Sequence, residues 1–152
     1  GDNWAEPGTE MCVFHLDGIP CSIIICHDER YPELVRLPVL AGAQIIFYPS
    51  SESNVTAEHK LDPYRAQISA RADENDVFII QANFPAMMSH GQSRIVSPGG
   101  IVLKEATMFG EEMIFCDIDL SKANRGTAKN SMRYKTLQQW WQQGIDMVKI
   151  KP

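Results

Sequence analysis

The chain has no CxxC spacing and no paired histidines, so its four cysteines, at 12, 21, 26 and 116, do not indicate a zinc site. No apolar run approaches the length of a membrane span, no signal-peptide pattern opens the sequence, and no repeat or low-complexity tract interrupts it. A soluble protein of the cytoplasm is the expectation, and in that setting the cysteines read most simply as free thiols. Basic residues are in the minority, 14 against 19 acidic for a net charge of -5, which argues against nucleic acid or an anionic membrane as partner. What is present is ordinary for one globular domain: 152 residues, 44% of them hydrophobic, enough for a real core.

The chemistry-bearing pattern lies in residues 21–53. Residues 22–25 form a short β-branched run of the kind that is covered on both faces of a sheet. They deliver Cys26 to the carboxyl end of a strand, where open α/β sheets bind ligands. Asp28, Glu29, Pro32 and Glu33 have the composition of a helix start, with acids near the positive end of the macrodipole and a proline in the first turn. Leu34, Val35, Leu37, Val39 and Leu40 give an apolar face, and Pro38 predicts a kinked or two-part helix. Ala41-Gly42-Ala43 closes it, and 44–48 reads as the next strand. By default a lone cysteine is a small buried hydrophobe; a thiol at a strand end, near a helix amino end that stabilises thiolate, points instead to chemistry.

Around this unit, residues 11–16 and 19–26 read as a hairpin through Asp17-Gly18, with Cys12 and Cys21 mid-strand as ordinary thiols. His27 directly follows Cys26, and neighbours on an extended chain point to opposite faces, so the two do not form a Cys-His couple. In the polar loop 50–54, Ser51 and Glu52 either contact a ligand or are simply solvated. Asp62 and Pro63 read as the cap and first residue of a helix. Its Ile68 and Ala72 face inward, Arg65, Arg71, Asp73 and Glu74 face outward, and Arg71 pairs with Glu74. A strand over 78–81 follows, then a loop where Met87 and Met88 either fill gaps or meet substrate and His90 is exposed. Residues 93–97 and 101–104 form a hairpin about Pro98-Gly99-Gly100, and 113–118 the last core strand. Helical spacing over 132–148 carries Trp140 and Trp141, which need cover from either a second subunit or the parent domain.

The run Ile24-Ile25-Cys26-His27-Asp28-Glu29-Arg30-Tyr31-Pro32-Glu33, followed by Ala41-Gly42-Ala43 and Tyr48-Pro49-Ser50, resembles the nucleophile segment of the carbon-nitrogen hydrolase (nitrilase) superfamily, Cys-x-Asp-x-Arg-Tyr/Phe-Pro-Glu. Further blocks agree in order: Pro7-Gly8, the helix end Ala70-Arg71-Ala72-Asp73-Glu74-Asn75, the strand Gln81-Ala82-Asn83, the late hairpin from Gly91 to Gly100, and Ile118-Asp119-Leu120. Five blocks in order are far more specific than one, and together they cover about residues 7–121.

The resemblance implies an α/β fold, the carboxyl-terminal half of an α-β-β-α sandwich, with a mixed sheet and helices on one face. Residues 1–121 would be the hydrolase domain, and 122–152 a tail whose helix suits an oligomer contact. It implies hydrolysis of a non-peptide amide or carbamoyl bond through a thioester on Cys26, with the backbone N–H of His27 at the oxyanion. Arg30, Tyr31, Ser51 and Glu52 would bind a small-molecule substrate, and no metal or organic cofactor is called for. Arg30 either orients an acidic substrate or pairs with Glu33 or Asp28. Cys26-His27-Asp28, where true nitrilases show Cys-Trp-Glu, favours the amidase and carbamoyl-hydrolase branch. The family's glutamate and lysine lie ahead of the nucleophile strand, and neither Asp2 nor Glu6 can be assigned to a family glutamate. The expected partners are therefore an amino-terminal half, in cis or as a separate chain, and a second copy in a homo-oligomer. Alone, the chain would expose the sheet face and edge which that half covers. Two other classes stay open: a catalytically incomplete half-domain that binds another chain, and a thiol redox or acyl-transfer protein, for which a resolving-cysteine spacing is lacking.

Overall fold

The computed structural model describes residues 6, 8–51, 58–85 and 92–152, and for 58–62 the backbone alone. Asp2, Glu52, Met87, Met88 and His90, singled out above, lie outside the described residues. Alternating polarity folds the first stretch into a hairpin: β1 (Met11–Leu16) turns at Asp17 and Gly18, both with positive φ, into the antiparallel β2 (Ile19–Ile23). A 3₁₀ turn (Cys26–Arg30) and α1 (Glu33–Leu40) lead to β3 (Ile45–Ser50), and α2 (Glu58–Asp73) leads on to β4 (Phe78–Asn83). Since β2, β3 and β4 pair in parallel, each connection must cross back over the sheet, and both helices do so on the same face. β5 (Arg94–Val96) and β6 (Val102–Glu105) extend the sheet antiparallel. A 3₁₀ turn (Leu120–Lys122), α3 (Gly126–Ser131) and α4 (Lys135–Ile145) precede β7 (Val148–Ile150), which lies parallel beside β1. The resulting order is β6-β5-β4-β3-β2-β1-β7, a mixed α/β sheet as the sequence leads one to expect.

The two faces differ. On the inner face, Val13, Ile24, Ile46, Tyr48, Ile79 and Val96 meet Val35 and Val39 of α1 and Ile68 and Ala72 of α2. Fully burying one such aliphatic side chain contributes roughly 1.5–3 kcal/mol, so this layer dominates the stability. By contrast, the exposed Lys149–Glu10 pair at 3.8 Å contributes at most about 1 kcal/mol. β7 is therefore held by its ladder to β1 and by the buried Val148. On the outer face, Cys21, Ile45 and Phe78 are sealed by Ala123, with Ile118 and Leu120 beside them. At the end of β2 and just beyond it, Ile23 and Ile25 are exposed.

Several expectations need correction. Residues 22–25 are not covered on both faces: Ser22 and Ile24 are buried while Ile23 and Ile25 are open, because only the inner face has helices. α1 is one eight-residue helix rather than two parts, since Pro38 sits in its last turn, and the Ala43 N–H closes onto the Pro38 carbonyl at 3.0 Å. α2 starts earlier than Asp62, at Glu58, and carries Pro63 inside it. Ile68 and Ala72 do face the core, but Arg71 is buried rather than outward and Arg65 is half-buried. The stretch 113–118 alternates in exposure like a strand yet pairs with none in the sheet, leaving Met113 76% and Phe115 73% exposed. In α4, Trp141 is half-buried and Trp140 is 65% exposed. Among the described residues no helix is long and apolar enough to cross a membrane.

The β5–β6 hairpin presses its tip on α2 at Gly100, whose φ is +71°. A Cβ there would lie 2.9 Å from the Ser69 carbonyl oxygen and 3.3 Å from Asp73 Cβ, both close to helix backbone. Gly100→Ala is expected to destabilise the fold by about 1–3 kcal/mol, from left-handed strain and this contact, read as a lower urea midpoint at unchanged slope.

Candidate active site

The carboxyl ends of β2, β3 and β4 lie side by side, so the segments that leave them share one edge of the sheet. After β2, the Ile24 N–H donates to the Phe47 carbonyl at 3.1 Å, a backbone tie to β3 just past the strand's end. Ile25 is extended, and Cys26 then takes φ +49°, the left-handed region that a side chain with a Cβ seldom adopts. That reversal starts the 3₁₀ turn, closed by Asp28 N–H to Ile25 O and Tyr31 N–H to Asp28 O, each 3.0 Å. The Asp28 carboxylate folds back to accept the Ile25 N–H at 2.9 Å. Its position in the Cys-x-Asp pattern is thus structural: it pins the turn that presents the cysteine.

Beneath the turn lies a buried hydroxyl. Tyr48 is 0% exposed, and its O–H reaches both the Cys26 carbonyl oxygen, at 2.9 Å, and the Glu29 carboxylate. Burial first, then Tyr64 and the Glu29 contact, push the Tyr48 hydroxyl far above the ordinary phenol range, so it remains a donor wherever the protein is folded. Glu29 is likewise 0% exposed, and its backbone carbonyl accepts from Arg71 Nε at 3.1 Å. Arg71 also pairs with Glu74 at 3.1 Å, as the sequence leads one to expect. Next to this group, Gln81 bridges Tyr64 and Arg94, donating to the Tyr64 hydroxyl and accepting from Arg94 Nε at 3.1 Å. Arg94 is 1% exposed and lies over the Tyr64 ring, and burial lowers its basicity, with Arg65 adding to that effect. Arg65 holds the Glu105 carboxylate and Gln92, which ties α2 to β6.

The structure brings Cys26, His27, Arg30 and Tyr31 together on one turn, with Ser51 one residue beyond the neighbouring β3. Cys26 is half-buried, whereas Arg30 and Ser51 are exposed. The His27 ring faces Tyr31 edge-on at 5.7 Å, its Nε2 3.5 Å from the Tyr31 hydroxyl. That occupies the imidazole on the exposed side of the turn. Glu52 is outside the described residues. A cavity of about 430 Å³ adjoins the turn, with Ile25 and Asp28, Cys12, Met11, Glu10 and Leu34 among its walls; Cys26 itself is not one of them. Among the described residues no group of three or more histidine, cysteine, aspartate or glutamate side chains is placed to hold a metal ion.

Sequence reasoning missed Tyr48, Glu29, Tyr64 and Arg94. Glu29 reads as a helix-start acid and Arg94 as a strand residue, and the outcome differs because both fall on the inner side, against α2 and β3. One signal was available: in β3, Ile46, Tyr48 and Ser50 alternate onto the helix-covered face, where a tyrosine must find a partner for its hydroxyl.

The family model for carbon-nitrogen hydrolase matches residues 3–126. The 2-oxoglutaramate amidase of Bacillus subtilis (strain 168) is 33% identical over 127 residues, which cover 79% of this chain and 46% of that protein. Among solved structures, Saccharomyces cerevisiae Nit3, a member of branch 10 of the nitrilase superfamily, aligns with a TM-score of 0.63 at 27% identity, over 70% of this chain and 40% of its own. A mutant of the amidase from Nesterenkonia sp. AN1, showing the result of Michael addition of acrylamide at its active site cysteine, aligns with a TM-score of 0.58 at 26% identity, over 67% and 40%. The chain spans about half the length of the curated relatives it matches.

The four thiols are free but unequal. Cys21 is buried, its S–H donates to the Ile19 carbonyl at 3.3 Å, and burial raises its pKa despite an opposing backbone hydrogen bond at Leu16. Cys21 is 1% exposed, so the reagent reaches it only through opening of the fold, and native Cys21 is expected to react with iodoacetamide at pH 8 at least about 100-fold more slowly than in urea, the raised pKa acting in the same direction. Cys26 is expected to be alkylated first of the four, as peptide mass mapping over time would establish.

Proposed function

The chain belongs to the carbon-nitrogen hydrolase family, and from that premise we propose that it carries the nucleophile of an amide- or carbamoyl-hydrolysing enzyme, acting through a thioester on Cys26. The observation that carries this reading is the backbone of Cys26: a non-glycine residue in left-handed conformation, just beyond the carboxyl end of β2, which runs parallel to β3, on a turn tied down by Asp28 and Tyr48. Strained residues held by over-determined surroundings cluster at reactive sites, and a cysteine gains from the arrangement because its side chain is thrust out of the strand's line.

In the proposed reaction the Cys26 thiolate attacks the carbonyl carbon, forming a C–S bond while the C=O π pair moves onto oxygen. The backbone N–H of His27 donates to that oxyanion. Collapse of the intermediate breaks the C–N bond, and ammonia or an amine leaves with a proton delivered by a general acid. Water then attacks the thioester, the C–S bond breaks, and the acid product departs with the thiol restored. The general acid-base glutamate and the lysine that the family resemblance calls for are assigned to an amino-terminal half, supplied in cis or by another chain. The exposed Ile23 and Ile25 beside the site suit such a covering half. Arg30, Tyr31, Ser51 and Glu52 are assigned to substrate contact, and the exposed guanidinium of Arg30 would suit an acidic group on the substrate. A relative named as an amidase supports an amide over a nitrile as the reacting group.

The test is single-turnover acylation of the whole protein with a panel of small primary amides, followed by mass mapping of the Cys26 peptide. A transient mass increase on Cys26 that clears with product is expected, and Cys26→Ala is expected to lower kcat/KM by at least about 10³-fold. Turnover that survives Cys26→Ala would overturn the proposal.

A further inference from the structure

We infer that Tyr48 is a positioning residue for the candidate nucleophile, its hydroxyl steadied by the buried Glu29 carboxyl and hydrogen-bonded to the Cys26 carbonyl so that the left-handed turn is kept in place. The inference rests on the reading of Cys26 as nucleophile for its catalytic half, while its structural half stands on geometry alone.

A cysteine at φ +49° relaxes to negative φ unless something opposes it. Asp28 secures the turn from the residue before Cys26, by accepting the Ile25 N–H. The remaining handle is the Cys26 carbonyl, whose orientation is set by the same peptide plane that carries the His27 N–H. A donor fixed to that carbonyl therefore fixes the direction of the His27 N–H as well, because the C=O and N–H of one trans peptide point in opposite directions. Tyr48 is that donor, at 2.9 Å. It comes from β3, a central strand with a neighbour on either side, so its ring has no freedom to follow a moving turn. Glu29 completes the arrangement: it lies three residues beyond Cys26, 0% exposed, with its carboxylate on the Tyr48 hydroxyl and its own carbonyl held by Arg71. The turn thus grips the tyrosine that grips the turn. Removing the hydroxyl leaves the Cys26 carbonyl without this donor and lets the Cys26–His27 peptide plane rotate, which would misdirect both the thiol and the oxyanion donor.

The experiment compares the whole wild-type protein with Tyr48→Phe and Glu29→Gln by amide hydrogen exchange and by steady-state hydrolysis of the best small amide from the panel above. In Tyr48→Phe the Asp28 and Tyr31 amides, which close the turn, are expected to exchange about 5- to 10-fold faster, while the Ile46 and Ile79 amides keep their protection. For the same variant kcat is expected to fall about 10- to 100-fold, with KM within about threefold, the pattern of a misplaced nucleophile rather than lost binding. Glu29→Gln, whose amide keeps the shape of the carboxyl and can donate to the Tyr48 oxygen while the hydroxyl proton stays on the Cys26 carbonyl, is expected to lose less than Tyr48→Phe on both measures. Unchanged exchange in the turn overturns the inference, and so does a loosened turn with unchanged kcat. Global loss of protection in Tyr48→Phe, with Glu29→Gln equal to wild type in the turn, also counts against it, since the hydroxyl would then serve the core and not the turn. If the wild-type protein hydrolyses no amide, the proposed function fails separately, and exchange in the turn still decides whether Tyr48 holds it.

Discussion

The contact between a buried tyrosine hydroxyl and the carbonyl of an exposed turn joins the rigid part of this molecule to its candidate reactive part. An isolated hydroxyl in that position would be costly, because a buried donor without partners loses its hydration for nothing. Tyr48 avoids this by reaching Cys26 and Glu29, and the polar side chains nearby find partners for part of their polar atoms in the same manner, Gln81 between Tyr64 and Arg94, and Asn75 donating to the Arg71 carbonyl, while Asn75 Oδ1 and one Arg94 guanidinium nitrogen are left without a hydrogen bond among the described residues. The polar layer sits between the sheet and α2, where the local dielectric is low and its hydrogen bonds are correspondingly strong. Its members come from β3, β4, β5, α2 and the 3₁₀ turn, so it can form only when those elements are already in place. Precision at the turn is therefore a property of the whole domain and not of the Cys26 segment.

Much of the architecture was legible in order along the chain. The hairpin at Asp17-Gly18, the crossover from Cys26 through α1 to β3, the inward Ile68 and Ala72, and the late hairpin about Gly100 all follow from local signals that the tertiary structure does not override. The failures have a common cause. Periodicity tells which side chains share a face but not what lies against that face. Residues 113–118 alternate as a strand should, yet among the described residues no strand pairs with them, and Met113 and Phe115 face outward. Residues 22–25 carry enough apolar bulk for two covered faces, yet helices cover only one. Arg71 and Arg94 break the usual rule for charge because each is buried against oxygen acceptors contributed by distant segments.

The site shows the same division. Cys26, His27, Arg30 and Tyr31 can be named together from the sequence because they are nearly contiguous, and one turn with its closing residue Tyr31 displays them together. Tyr48 lies 22 residues from Cys26, and no local spacing relates the two; the parallel register of β2 and β3 does. Side chains that meet a ligand tend to be written as a motif, whereas side chains that orient the motif are scattered, since what they share is a face of the sheet.

That distribution bears on how the chemistry would be tuned. A half-buried candidate nucleophile can be held on a strained turn because the strain is borne elsewhere, by residues with no access to solvent. On the proposed assignment of Arg30 and Ser51 to substrate contact, changes to either would alter what is bound while leaving the backbone of Cys26 alone, for both are exposed. Changes to Tyr48, Glu29 or Arg71 would act through the peptide planes of the turn without touching a ligand. The fold thus separates the two groups physically: the residues proposed for recognition lie along the carboxyl edge of the sheet, and those proposed for alignment lie one layer beneath it, in the polar seam against α2.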